Sequence, residues 1–223
     1  MKYLLYIPLI FVINCNRTIK PGQEEKVQFE FVNDTLYTYF QSGAIKCVIP
    51  YSDGKRNGIA FRYYPNGSIE ANEIYYQNLQ VGDAIYYYEN GNLELYSLFD
   101  KNSDLRYRLE LDSIGKVLTQ EGKPFYCIVP KNLTKLKTNE KLNVNINCAR
   151  IPFFNSELYY KVIESDGSSE FHGKYEIMDL LPSLKLEFDK TGKKQLIMIF
   201  KMQSDKHSIS RSDTINLEIN VIK

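Results

Sequence analysis

The stretch Tyr63-Tyr64-Pro65-Asn66-Gly67-Ser68-Ile69 decides the fold, because it comes back as Tyr87-Tyr88-Glu89-Asn90-Gly91-Asn92-Leu93, each residue 24 positions on (66 to 90). The same frame reaches Ser42-Gly43 upstream and Ile114-Gly115 downstream, so four units are visible. Ile45, Ile69, Leu93 and Val117 fall in one column. Tyr39, Tyr63, Tyr87 and Leu111 fall in a second, and Tyr37, Phe61, Ile85 and Leu109 in a third. Asn-Gly between alternating aromatic and β-branched residues is a hairpin signal, and the expected two-residue turn places Asn66, Gly67, Asn90 and Gly91 at φ > 0. Each unit is thus a strand, a turn and a strand. A lone hairpin is marginal in water, so the units must join into one antiparallel sheet.

Working outward, Phe61 and Tyr63 alternate with Arg62 and Tyr64, while Ile69 and Ala71 alternate with Glu70 and Asn72. The reading is one apolar and one mixed face. The mixed parity presents Arg62, Tyr64, Tyr86 and Tyr88, the candidate ligand-binding surface. Tyr and Arg are the residue types of binding hot spots, although such ladders also serve simply to pack neighbouring strands.

Asp53-Gly54-Lys55-Arg56-Asn57-Gly58, Tyr63-Tyr64-Pro65-Asn66-Gly67, Val81-Gly82 and Tyr87-Tyr88-Glu89-Asn90-Gly91 resemble the MORN repeat family, in its bacterial YwqK-like variant. The resemblance covers residues 27–123. In the outer units Asp34 and Arg106 replace the glycine seen at Gly58 and Gly82. It implies an elongated, twisted antiparallel sheet used for binding or as a scaffold.

After Lys123 the repeat fails. Leu142, Val144, Ile146 and Cys148 alternate with asparagines, and Asp166-Gly167 marks a further hairpin. Strands are expected over 125–129, 142–148, 158–163, 170–177, 184–188, 196–202 and 215–222. Seven short strands suggest an immunoglobulin-like β-sandwich over 124–223, without the Cys-Trp-Cys hallmark. The fold class is all-β throughout.

At the N-terminus, Met1-Lys2 precedes an apolar run over 3–13. At 1.5 Å per residue it falls short of the ~30 Å bilayer core and reads as an export signal. Val12-Ile13-Asn14-Cys15 resembles a bacterial lipoprotein signal, which implies removal of residues 1–14, acylation of Cys15 and a flexible stem over 15–26. An ordinary secretory signal cut near Asn14 and an uncleaved anchor are the alternatives.

Lys and Arg number 28 against 27 Asp and Glu, a balance that argues against nucleic-acid partners held by bulk charge. No phosphate loop, His-Glu-x-x-His or Cys-x-x-Cys appears, and neither His172 nor His207 has a metal ligand at the right spacing. No cofactor, metal or catalytic residue is therefore expected. Cys47 shares a column with Ala71 and Leu95 and reads as a small buried residue. Cys127 and Cys148 could bridge in an oxidising compartment or remain core thiols. The functional expectation is a non-catalytic lipoprotein of the cell envelope, membrane-attached through lipid, that binds a protein, glycan or wall polymer through its repeat sheet. The alternatives are an envelope hydrolase with a site between the two domains, and a structural spacer.

Overall fold

The computed structural model describes residues 28–129, 132–176 and 183–223. The chain divides into two compact units, Met1–Gln80 and Val81–Lys223. Among the described residues everything regular is β, apart from a 3-10 turn at Leu133–Lys135.

The first unit contains β1 (Gln28–Val32), β2 (Thr35–Tyr39), β3 (Ile45–Ser52), β4 (Lys55–Arg56), β5 (Gly58–Tyr63) and β6 (Ile69–Tyr76), ordered β1-β2-β3-β5-β6 with β4 paired to the end of β3. All these pairs are antiparallel. The ladder slips by one residue between Thr38 and Tyr39, again between Arg62 and Tyr63, and, in the second unit, between Tyr86 and Tyr87. A bulge at the same place in each repeat keeps the register in phase.

The Asn-Gly turns differ from the two-residue form expected of them. Gly67 and Gly91 have φ of +84° and +80°, but neither Asn66 nor Asn90 has positive φ. The Gly67 N–H donates to the Tyr64 carbonyl (2.9 Å) and the Tyr64 N–H to the Ser68 carbonyl (2.9 Å). This is the three-residue loop in which a type I turn is followed by a left-handed glycine. The asparagine acts through its side chain instead, since Asn66 Oδ1 accepts the Ser68 N–H at 2.9 Å and Asn90 Oδ1 the Asn92 N–H at 3.0 Å. The same loop closes 40–44 and 112–116. Two-residue turns with φ > 0 at both positions do occur, but between units: at Asn33-Asp34, Asp53-Gly54 and Gln77-Asn78.

In the second unit β7 (Leu79–Tyr87), which begins at the division, pairs with β8 (Leu93–Phe99), β9 (Leu105–Leu111) and β10 (Val117–Gly122), in that order. Two further sheets follow. One is three-stranded, β11 (Phe125–Ile128), β13 (Leu142–Cys148) and β16 (Ser183–Leu186), ordered β11-β13-β16. The other is five-stranded and mixed, from β12 (Leu136–Lys137), β14 (Asn155–Glu164), β15 (Ser169–Glu176), β17 (Gly192–Ser204) and β18 (Ile209–Ile222), ordered β12-β18-β17-β14-β15 with β12 parallel to β18. Every strand expected after Lys123 is present. The long β17 and β18 pair over 13 residues, well beyond their apolar centres; β17 alternates between buried and more open positions, and β18 is buried only at Ile219 and Val221.

One core unites these pieces. Leu93, Tyr96, Tyr107, Leu109 and Leu111 from the repeats pack in the same cluster as Phe125, Leu142 and Ile146 of the three-stranded sheet and Leu158, Leu196 and Phe200 of the five-stranded one. Phe125 stacks on Phe200 with ring centroids 5.5 Å apart. The change of pattern after Lys123 is therefore a change of sequence period, with continuous packing across it.

Candidate functional site

In the first unit, burial reverses the polarity expected of the sheet. The mixed parity is the covered one: Cys47 pairs across to Arg62, Arg62 to Ala71, and Ala60 to Glu73, with Cys47, Ala60, Arg62 and Ala71 all buried. Small Ala71 stands opposite Arg62, so its long side chain can lie down on the sheet, where Nε meets Glu70 Oε2 at 3.0 Å. The Arg56 guanidinium lies 4.0 Å over the Tyr75 ring, whose burial pushes the hydroxyl pKa to about 12.

Arg62 therefore belongs to a buried ion pair, and Tyr64 beside it is half-buried. Tyr86 and Tyr88, in the second unit, are half-buried as well. Tyr86 lies opposite Leu95, and the Tyr88 hydroxyl donates to the Leu111 carbonyl at 2.8 Å. Asn90 and Asn92 each donate a side-chain amide to the Ser113 carbonyl, at 3.1 and 2.9 Å, tying the third repeat loop to the fourth. Of the four residues expected on an open binding face, Arg62 is buried and Tyr64, Tyr86 and Tyr88 are partly covered.

The open parity of the first unit is the apolar one. Ile45, Ile59 and Ile69 are 42%, 51% and 41% exposed, and the Phe61 and Tyr63 rings stack 6.4 Å apart on the same side.

The second unit holds a buried polar cluster that the sequence reading missed. The Tyr96 hydroxyl donates to Asp83 Oδ1, Arg150 Nε donates to Asp83 Oδ2 at 2.8 Å, and the Arg150 N–H donates to the Tyr96 oxygen at 3.0 Å, closing a ring. Burial first, then the Asp83 charge, pushes the Tyr96 hydroxyl pKa well up. One signal was available: Asp83 is the charged member of the column Thr35, Ile59, Asp83, Tyr107. Lys194 is a second omission. It occupies the core parity of β17 with a fully buried side chain, pairs with Glu164, and sits 5.2 Å from the Phe188 ring centroid. A cavity of about 520 Å³ opens beside that pair.

Cys127 and Cys148 are free thiols. Their strands pair Phe125 with Cys148 and Cys127 with Ile146, so the two cysteines are diagonal on one face. Diagonal neighbours stand roughly 7–8 Å apart, beyond the usual span of a disulfide. Burial pushes the Cys148 thiol to about 12, keeping it protonated and a poor nucleophile. Cys47 is buried, as its column suggests, but it is disulfide-bonded and so is more than the small core residue expected there. His207 is buried against Phe154, stacked at 5.8 Å, and Phe153, edge-on at 6.4 Å. Burial lowers its pKa. A Cβ on Gly115 would lie 2.8 Å from His207 Nδ1, so this repeat turn needs glycine for space as well as for its φ of +91°. Among the described residues no cluster of three or more His, Cys, Asp or Glu could hold a metal ion. Cys15, the expected lipidation site, lies outside the described residues.

A family model for a MORN repeat variant matches residues 56–78 and 80–107, the two central units of the repeat frame. No curated protein matches the chain.

Proposed function

We propose that this chain is a non-catalytic, lipid-anchored protein of the cell envelope whose repeat sheet serves as a recognition or scaffolding surface. The repeat match supports a binding or scaffold role. The lipoprotein-like Val12-Ile13-Asn14-Cys15 supports attachment to a membrane through acylated Cys15. The strand orders β11-β13-β16 and β12-β18-β17-β14-β15, sharing one core, support an immunoglobulin-like sandwich for the C-terminal half.

The observation that carries the reading is the apolar parity left open in the first unit, where Ile45, Ile59 and Ile69 stand 41–51% exposed (Ile69 41%, Ile59 51%). A contiguous exposed apolar face marks an interaction site. Its chemistry favours a protein surface over an ionic wall polymer. The test is a photo-reactive amino acid placed at Ile59 in growing cells, with Ile114, an exposed loop residue of the second unit, as control. Position 59 should give a discrete cross-linked species in the membrane fraction. Cys15→Ala should move that species out of the membrane fraction. Absence of any species specific to position 59 would refute the recognition role, and membrane retention in Cys15→Ala would refute the anchor.

A further inference from the structure

We propose that the open face of the first unit, carrying Tyr37, Ile45, Ile59, Phe61, Tyr63 and Ile69, is a self-association surface that seats the same face of a second copy of this chain. The inference rests on the recognition reading above and gives it a partner.

Charge selects the occupant. In β2, β3, β5 and β6 every paired residue of this parity is uncharged, from Thr35 through Val48 and Asn72 to Ile74. Within β5 and β6 the paired charges, Arg62 and Glu73, stand opposite Ala71 and Ala60 on the other parity, whereas Lys55, paired with Ser52 at the end of β3, is a charge on the open parity at the edge of the face. Glu30, on β1, sits at the rim and accepts the Tyr39 hydroxyl. An ionic ligand finds no counter-charge at the centre of such a face. Over the centre of the face an identical copy meets no like charge, with Glu30 opposite Tyr37 and Lys55 opposite Ser52 confined to the edges, and an uncharged centre is the condition under which an isologous contact carries little repulsive penalty.

The repeat itself indicates what kind of layer fits. Leu93, column-mate of Ile45 and Ile69, and Tyr107, column-mate of Ile59, are fully buried in a core that also contains Phe125, Leu142 and Ile146 from apolar β-strands. These columns accept an apolar β-sheet as cover, and the repeat sheet of a second copy is one. Strands of five, eight, six and eight residues at about 3.3 Å each, four abreast at about 4.8 Å, give a footprint of about 430 Å² per copy. Two such footprints total about 860 Å², under the ~1,000 Å² that a stable specific interface clears, so the dimer is weak and transient.

Sedimentation velocity of the full chain over a range of micromolar concentrations reads the proposal directly. The wild type should shift from monomer to dimer. The double substitution Ile59→Glu with Ile69→Glu, at positions exposed enough to keep the fold, should remain monomeric with unchanged circular dichroism. An Ile59→Lys, Ile69→Lys chain should also be monomeric alone but should form a heterodimer when mixed with the Glu variant, which separates a lost interface from a lost fold. A wild type that stays monomeric, or a dimer undiminished in both variants, overturns the proposal. A monomeric wild type that still cross-links from position 59 in cells removes self-association alone, and a dimer in solution with no cross-link in cells removes the recognition role alone.

Discussion

Ile69 and Leu93 occupy the same column of the same repeat, 24 positions apart, yet Ile69 is 41% exposed and Leu93 is fully buried. The contrast recurs in another column. Tyr37 and Phe61 are half-exposed, while Leu109, two repeats on from Phe61, lies in the core. The hairpins are alike in loop, bulge and register, so nothing local accounts for the difference. Strands from beyond Lys123 pack on the columns of the last two repeats, within one compact unit, and the first unit keeps the same columns open. A repeat therefore specifies a surface, and the rest of the chain determines whether that surface becomes core.

The sharpest way to break this comparison is to truncate both members of one column. Leu93→Ala should destabilise the second unit by about 3 to 4 kcal/mol, since it opens a cavity in a closed core. Ile69→Ala should cost under about 1 kcal/mol, because much of its side chain already meets water. With no Trp in the chain, urea unfolding can be followed by tyrosine fluorescence or circular dichroism. Equal losses would mean that the two faces are equally covered.

Arg150→Ala tests what pins the covered repeats to the strands that follow. It leaves Asp83 buried and short of its cation, which costs about 3 kcal/mol, the lower end of the range for broken buried pairs because the Arg150 side chain is 32% exposed. The Arg150→Met, Asp83→Leu pair, which removes both charges, should recover most of that loss in thermal unfolding. Failure to recover would mean that the cluster contributes through more than charge compensation.

The smallest effect sharpens the likeness of the two regions. Gly67→Ala and Gly91→Ala each force a Cβ into the left-handed region with open space around it, so only backbone strain is at stake. Each should cost about 1 kcal/mol in thermal stability, and the two should agree. A much larger loss for Gly91→Ala would show that covering stiffens the loop as well as the face.

How far the sequence could be read follows from the range of the interactions involved. The 24-residue period, the strands on either side of Lys123 and the all-β class rest on alternation and turn residues, which act within a few positions of themselves. The Asn-Gly pair located its turns correctly, but the loop closed one residue wider than expected, because the Asn66 side chain satisfies the Ser68 N–H without needing φ > 0. Arg62 was misassigned to an open face because nothing in the alternation reveals that Ala71 leaves room beside it and that Glu70 receives its guanidinium. Asp83 and Lys194 were missed because a charge inside an apolar column acquires meaning only from its partners, Arg150 and Glu164, which lie 67 and 30 residues away in the chain.

Sequence alone determined that this protein is a run of β-hairpins with a fixed bulge and loop, since backbone preference and side-chain parity are properties of each short segment. Only the tertiary structure decided which of two alternating faces is interior. Burial requires a second layer, and in the first unit the face that found cover within its own sheet is the one with small residues beneath long ones. The apolar face that the pattern marked as core stands open there, because packing is settled by what arrives opposite a surface, and that information is held elsewhere in the chain.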